Sequence, residues 1–194
     1  MKLALQNEDA PAARRLSNEL FRIEQYVEMV LTYLRLNADS TDYLIKEYDL
    51  DKIIRRSVKK FAGEFIERKL TLSYTPADAQ IITDEKWLSF VIEQVLSNAL
   101  KYTREGGVSI YMEEKDILCI EDTGIGIAPE DLPRIFEKGY TGYNGRTDKR
   151  ASGLGLYLCR RICKNLSAEI WASSHPGKGT VIHINLAQYQ LKRE

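Results

Sequence analysis

The sequence predicts an α+β fold, a mixed β-sheet covered by helices on one face, with a separate helical segment in front of it. Strand-type and helix-type runs are interspersed after residue 43, with three helices in all, and several strands are adjacent as hairpins. Before residue 37 the apolar pattern is of another kind. Leu16, Leu20, Ile23, Val27, Val30 and Leu34 follow one another at alternating steps of four and three, which is an a/d heptad seam.

Residues 12–37 are therefore expected as one helix, opened by Pro11, with Asn7-Glu8-Asp9 as a turn after a short stub at 2–5. The Asn, Asp, Ser and Thr run at 37–42 marks a boundary. Residues 1–37 form one unit, 38–42 a linker, and 43–190 the main domain. Within that domain the expected order is strand 43–48, helix 50–67, strands 70–74 and 80–83, and a long helix from 85. Asp49 and Asp84 are suited to cap the two helices. A hairpin follows at 107–113 and 117–120, then an irregular insert over 124–150, a helix at 154–165, and strands 168–173 and 180–186. The insert exceeds an ordinary connection, and loops of that length are usually lids or disordered. It carries Arg134, Lys138, Arg146, Lys149 and Arg150 with Tyr140 and Tyr143 between them; such a run is usually a solvated face, but its place between the glycine-rich stretches at 124–126 and 153–155 favours a lid over a polyphosphate.

Bulk composition narrows the partners. The 194 residues suffice for one ample core and a small appendage. Lys and Arg total 28 and Asp and Glu total 28, so no global field recruits nucleic acid or an anionic membrane. No apolar run approaches the length of a membrane span and the N-terminus lacks a signal-peptide pattern, so a soluble piece is expected. Cys119, Cys159 and Cys163 contain no C-x-x-C pair and lie among apolar residues. They read as small core fillers in a reducing compartment. His175 lies in a turn. His183 shares a strand face with Val181 and Asn185, opposite Ile182, Ile184 and Leu186, and reads as a polar-face residue rather than a ligand or nucleophile.

The long helix carries Gln94, Asn98, Lys101 and Tyr102 in one stripe, because residues three and four apart are neighbours on a helix face. Downstream come Glu121-Asp122-Thr123-Gly124-Ile125-Gly126-Ile127, then Phe136-Glu137-Lys138-Gly139, then Gly153-Leu154-Gly155-Leu156. In this order the four boxes resemble the N, G1, F and G2 boxes of sensor histidine kinases of bacterial two-component systems. Gly177-Lys178-Gly179-Thr180 looks like a further glycine box. The run Tyr140-Thr141-Gly142-Tyr143-Asn144-Gly145-Arg146, with Trp87 upstream, is similar to the intramembrane-sensing kinases of the bacitracin-resistance type.

The resemblance implies a two-layer sandwich that binds ATP or ADP with Mg2+. Asn98, Gln94 and Lys101 become the catalytic candidates, with Asn98 the magnesium ligand. Nucleotide contacts fall to Asn98, Lys101, Tyr102, Asp122, Gly124, Gly126, Lys138, Gly153, Leu154, Gly155 and Thr180. The residue types suit these roles. An amide oxygen at Asn98 matches a hard cation, and a carboxylate at Asp122 can accept a hydrogen bond from the adenine amine. Gly124 and Gly126 permit a sharp turn and close approach. Gly153 and Gly155 open a helix whose N–H groups favour phosphate, while Tyr102 offers a ring for the base or its sugar.

The resemblance further implies that 1–37 is the C-terminal part of a dimerisation and phosphotransfer hairpin, making a homodimer, with the phosphoacceptor histidine upstream of Met1. A response-regulator receiver domain is the implied partner, and the chain is expected to be the cytoplasmic part of a membrane-bound sensor without direct membrane contact.

Other nucleotide motifs fail on inspection. In Gly177-Lys178-Gly179-Thr180 a glycine follows the lysine where a P-loop needs Ser or Thr, and Gly124-Ile125-Gly126 lacks the third glycine of a dinucleotide fingerprint. Three functions remain: a histidine kinase, a gyrase-type or chaperone ATPase clamp, and a non-catalytic nucleotide-binding or dimerisation module. Hydrolysis in the clamp family needs a carboxylate four residues before the box asparagine, where this chain has Gln94. Glu93 lies roughly 140° away around the helix. An amide cannot take a proton from water, which favours transfer to a supplied nucleophile.

Overall fold

The computed structural model describes residues 9–37, 43–142 and 152–187, with side chains in the first helix from Leu16 onward. The chain divides into two compact units, Met1–Thr41 and Asp42–Glu194. The first contains one helix, α1 (Asp9–Leu36), with Pro11 in its opening turn. Its seam residues Leu16, Leu20, Ile23, Val27 and Leu34 are exposed and Val30 is half-buried. Among the described residues no helix is long and apolar enough to cross a membrane.

The second unit runs β1 (Lys46–Asp49), α2 (Leu50–Lys60), α3 (Ala62–Arg68), β2 (Thr71–Tyr74), β3 (Gln80–Thr83), α4 (Glu85–Tyr102), β4 (Gly107–Glu114), β5 (Ile117–Asp122), a 3-10 turn (Leu132–Arg134), α5 (Gly155–Asn165), β6 (Glu169–His175) and β7 (Gly179–Asn185). A five-stranded sheet has the order β2-β4-β5-β7-β6, and β1 pairs with β3 in a separate two-stranded ribbon. Only β2 with β4 is parallel in the larger sheet. The sheet is thus mixed, as expected, and α4 packs on β4 and β5 while α5 packs on α4 and β6.

Register explains where the core sits. Cross-strand rows Met112, Leu118, Ile184, Ile170 and Ile110, Ile120, Ile182, Ala172 make the face beneath the helices. Leu118 and Ile184 are fully buried there, facing a core that includes Val91, Leu96, Leu158 and Ile162. The next row along that face is Val108, Asp122, Thr180 and Ser174, so the apolar face turns polar at one end.

Several expected elements differ: α1 begins at Asp9, inside the expected turn, and β6 runs on to His175. The strand expected over 43–48 begins only at Lys46, because side chains hold the preceding residues. Tyr43 packs on Trp87 with ring centroids 5.4 Å apart, and the Asp84 carboxylate accepts from the Leu44 N–H at 2.7 Å. The helix expected over 50–67 is broken at Phe61, which is buried and whose N–H reaches the Val58 carbonyl at 3.0 Å, three residues back. The last helix starts at Gly155, and Leu154 is its N-cap. Both predicted caps are present: Asp49 accepts from the Lys52 N–H, and Asp84 from the N–H groups of Lys86 and Trp87.

The insert is not irregular throughout. Phe136 is buried, Tyr140 donates its hydroxyl to the Asp131 carboxylate, and the Gly139 N–H donates to the Gly153 carbonyl at 2.9 Å. Arg134 lies over the Tyr140 ring at 4.3 Å and pairs with Glu137 at 3.1 Å, which ties this guanidinium to the insert itself. Tyr143, Arg146, Lys149 and Arg150 lie outside the described residues.

Candidate functional site

The site is built along one stripe of α4. Gln94, Asn98 and Tyr102 are half-buried and Lys101 is exposed, its ammonium 5.1 Å from the centre of the Tyr102 ring. At one end of the stripe Gln94 lies against the start of α5, where a Cβ on Gly155 would come within 2.9 Å of its Oε1. At the other end the Tyr102 carbonyl accepts from the Ile125 N–H at 3.2 Å, and a Cβ on Gly124 would come within 2.6 Å of that carbonyl oxygen. The two glycine turns thus bracket Asn98. Among the described residues the Asn98 side chain has no protein hydrogen-bond partner.

Asp122 ends β5 beneath the helices. Its carboxylate accepts from the Gly124 N–H at 2.7 Å, and the Thr180 N–H, of the residue opposite it on β7, also favours its charged form. Burial pushes this carboxyl up to about 6, while the two N–H groups oppose the rise and the charge of Glu121 adds to it. A carboxyl held near neutrality at the polar end of an apolar face is a candidate functional group.

The β6–β7 turn closes around Asp122. Gly179 has φ +94°, and a Cβ there would lie 1.8 Å from the Asp122 carbonyl oxygen. Gly126 has φ +70°, and its Cβ would strike the His175 carbonyl at 2.0 Å. The Gly177 N–H donates to the Ile125 carbonyl at 2.8 Å. The glycine boxes at Gly124-Ile125-Gly126 and Gly177-Lys178-Gly179 therefore have different local duties but share one neighbourhood. Thr180 is buried, and its hydroxyl is hydrogen-bonded to Ser174 Oγ at 2.9 Å. Gly153, at φ +64°, is pinned to Gly139 beside the exposed Lys138. Leu154 is half-buried, and its N–H donates to Ser152 Oγ at 3.3 Å.

Sequence reading missed Ser174. Its Oγ accepts from the Ile127 N–H at 2.9 Å and donates to the Gly179 carbonyl at 2.7 Å, joining the Gly124 to Ile127 turn to the β6–β7 turn. The available signal was strand alternation, which puts Ser174 on the same face as Ile170 and Ala172. What alternation cannot supply is the partner strand.

The family described as histidine kinase-, DNA gyrase B-, and HSP90-like ATPase matches residues 83–190, and the chain belongs to it. Its relatives include sensor histidine kinases. The chain is 31% identical over 191 residues to the sensor histidine kinase YxdK of Bacillus subtilis, covering 95% of this chain and 59% of that protein. It is 32% identical over 176 residues to the sensor protein BceS of Halalkalibacterium halodurans, covering 89% and 53%. The chain thus spans a little over half the length of the curated relatives it matches. These relatives agree with the resemblance to the bacitracin-resistance type. Among solved structures, full-length ShkA in complex with AMPPNP matches with a TM-score of 0.71 and 24% identity, over 93% of this chain and 38% of that one. The histidine kinase ThkA in complex with the response regulator TrrA matches at 0.68 and 21%, over 95% and 52%. At these identities the structural matches speak to the fold.

Proposed function

We propose that the chain is the ATP-binding catalytic part of a sensor histidine kinase, passing the γ-phosphoryl group of ATP to a histidine for relay to a response-regulator aspartate. The observation that carries this reading is the α4 stripe bracketed by two glycine turns, with an amide rather than a carboxylate at Gln94. Asp122 accepts the adenine amine, Tyr102 packs on the base or sugar, and Lys101, Lys138 and the N–H groups opened by Gly153, Leu154 and Gly155 face the phosphates. Asn98, half-buried and without a protein hydrogen bond among the described residues, fits a hard cation. Bound magnesium would neutralise phosphate charge. Gly124, Gly126 and Thr180 hold Asp122 in place. The AMPPNP bound by ShkA and the response regulator bound by ThkA are consistent with these ligand and partner classes. The exposed α1 seam suits pairing with a second copy in the full-length protein, and the chain then forms the cytoplasmic part of a membrane-bound sensor.

Neither histidine of the chain suits the acceptor role. His183 is buried on the sheet, and His175, expected in a turn, is the last residue of β6 and pairs with Gly179. With γ-labelled ATP, acid-labile label is expected on an added helical fragment bearing the acceptor histidine. Label on His175 or His183 in the chain alone would refute the assignment. In the same assay Gln94→Glu separates kinase from clamp ATPase. A carboxylate there lies beside the start of α5, where the helix dipole favours negative charge, and it can deprotonate a water that Gln94 can only hold. General-base assistance is worth on the order of a hundredfold, so background hydrolysis at saturating ATP is expected to rise by a visible fraction of that. An unchanged rate in a variant that still binds ATP would remove the case against the clamp reading.

A further inference from the structure

The sheet face opposite the helices carries a cluster that the nucleotide site does not use. Tyr111, Cys119, His183 and Trp171 form one cross-strand row there. Glu113 is the extra residue where the register of β4 on β5 shifts between Met112 and Glu114, and such bulges re-aim a side chain. Three donor atoms from three adjacent strands meet as a result. Cys119 Sγ lies 3.3 Å from His183 Nδ1, that nitrogen lies 3.1 Å from Glu113 Oε2, and the sulfur lies 3.6 Å from the same oxygen.

We propose that Glu113, Cys119 and His183 form a site for a divalent cation of the zinc class, independent of the nucleotide site. A zinc ion bound at about 2.3 Å to sulfur and about 2.0–2.1 Å to nitrogen and oxygen, in tetrahedral geometry, separates its ligands by about 3.3–3.6 Å. The observed triangle is within a few tenths of an ångström of that. One thiolate, one imidazole and one carboxylate make a zinc donor set, and a water would complete it.

The surroundings support the ring and leave a way in. The Trp171 ring stacks on His183 at 5.0 Å with planes 2° apart, and Ser173 Oγ lies 3.2 Å from Nε2. An outer hydrogen bond of this kind fixes the orientation of a metal-ligating histidine. Cys119 is fully buried, His183 nearly so, and Glu113 exposed, so the carboxylate side is the entry.

Burial, with the Glu113 charge adding to it, pushes the Cys119 thiol up to about 12, so without metal it carries its proton. Binding breaks that S–H bond and releases the proton to solvent. Nδ1 offers its lone pair to the ion while Nε2–H donates to Ser173 Oγ. The ion would tie β4, β5 and β7 together three residues from Asp122 on one strand and three from Thr180 on another.

The competing account of the same distances is a metal-free hydrogen-bonded triad. Untagged protein titrated with Co2+ distinguishes them, because thiolate coordination gives a near-ultraviolet charge-transfer band. One band saturating at one equivalent is expected, displaced by Zn2+, retained in Cys163→Ala and lost in Cys119→Ser. Glu113→Gln, at an exposed position, is expected to fold and to weaken Co2+ binding at least tenfold. No thiolate band with the wild-type protein, a band that survives Cys119→Ser, or unchanged affinity in Glu113→Gln would overturn the site. ATP binding measured alongside confirms that each variant is folded.

Discussion

Asp122→Asn is expected to lose ATP affinity by roughly 10- to 100-fold while making the nucleotide-free protein more stable. The first effect follows from removing a charged acceptor, since hydrogen bonds to charged groups are worth about 1.5–3 kcal/mol. An asparagine that keeps its oxygen on the Gly124 N–H turns its amide donors toward the adenine amine. The second effect follows from burial. A carboxyl raised from 3.8 to about 6 is disfavoured as a charged group in the folded state, a cost of up to roughly 3 kcal/mol at neutral pH. Because the folded pKa lies above the unfolded one, Asp122 contributes stability below about pH 4 that is lost as pH rises through about 6. The gain from Asp122→Asn is therefore expected to be small at pH 4 and to grow across that window. Thermal unfolding at several pH values reads this directly. ATP binding by the wild type should weaken as pH falls below about 6, where the carboxyl takes up the proton that the adenine amine must replace. Parallel stability curves for the two proteins from pH 4 to 7 would mean that Asp122 is not the strained group described.

Gly179→Ala is expected to cost about 3 kcal/mol or more, a fall in melting temperature on the order of 10 °C for a chain of this size. Two penalties combine. The backbone sits at φ +94°, and the new Cβ would lie 1.8 Å from the Asp122 carbonyl oxygen, a backbone atom that cannot swing aside. Gly177→Ala is the internal control. Its φ is +74° but a Cβ there meets nothing within 4 Å, so only the backbone term of about 1–2 kcal/mol applies. Gly179→Ala should also weaken ATP binding, since β5 must move at Asp122, whereas Gly177→Ala should leave it nearly intact. Equal destabilisation by the two changes would show that the β6–β7 turn does not press on Asp122.

The parts of this fold that were legible in the sequence are those set by local period and local caps. Alternation in Ile117 to Asp122 and Val181 to Asn185 separates the two sheet faces, and Asp49 and Asp84 stop the chain where helices begin. The α4 stripe follows from helical spacing alone. The break at Phe61 was not legible, because the nearby Gly63 lies inside α3 rather than at the break, where the residue is a buried aromatic. Nor was the late start of β1, which depends on Trp87 and Asp84, 40 or more residues from the Tyr43 and Leu44 they hold. Register was the largest omission. It brings Ser174 opposite Thr180, and it joins Cys119 to His183 across 64 residues. Read separately, those last two are a small core residue and a polar-face histidine.

Magnesium-dependent ATP binding, measured by calorimetry on the wild type and on Asn98→Ala, tests the central claim most directly. The stripe from Gln94 to Tyr102 is a nucleotide site only if the Asn98 amide between the two glycine turns holds the cation that accompanies the phosphates. The wild type is expected to bind ATP with micromolar-class affinity in the presence of Mg2+ and more weakly without it. Asn98→Ala is expected to lose most of the magnesium dependence while keeping residual ATP binding through Asp122. Equal ATP affinity of the two proteins with and without Mg2+, or no binding by the folded wild type, would contradict the account.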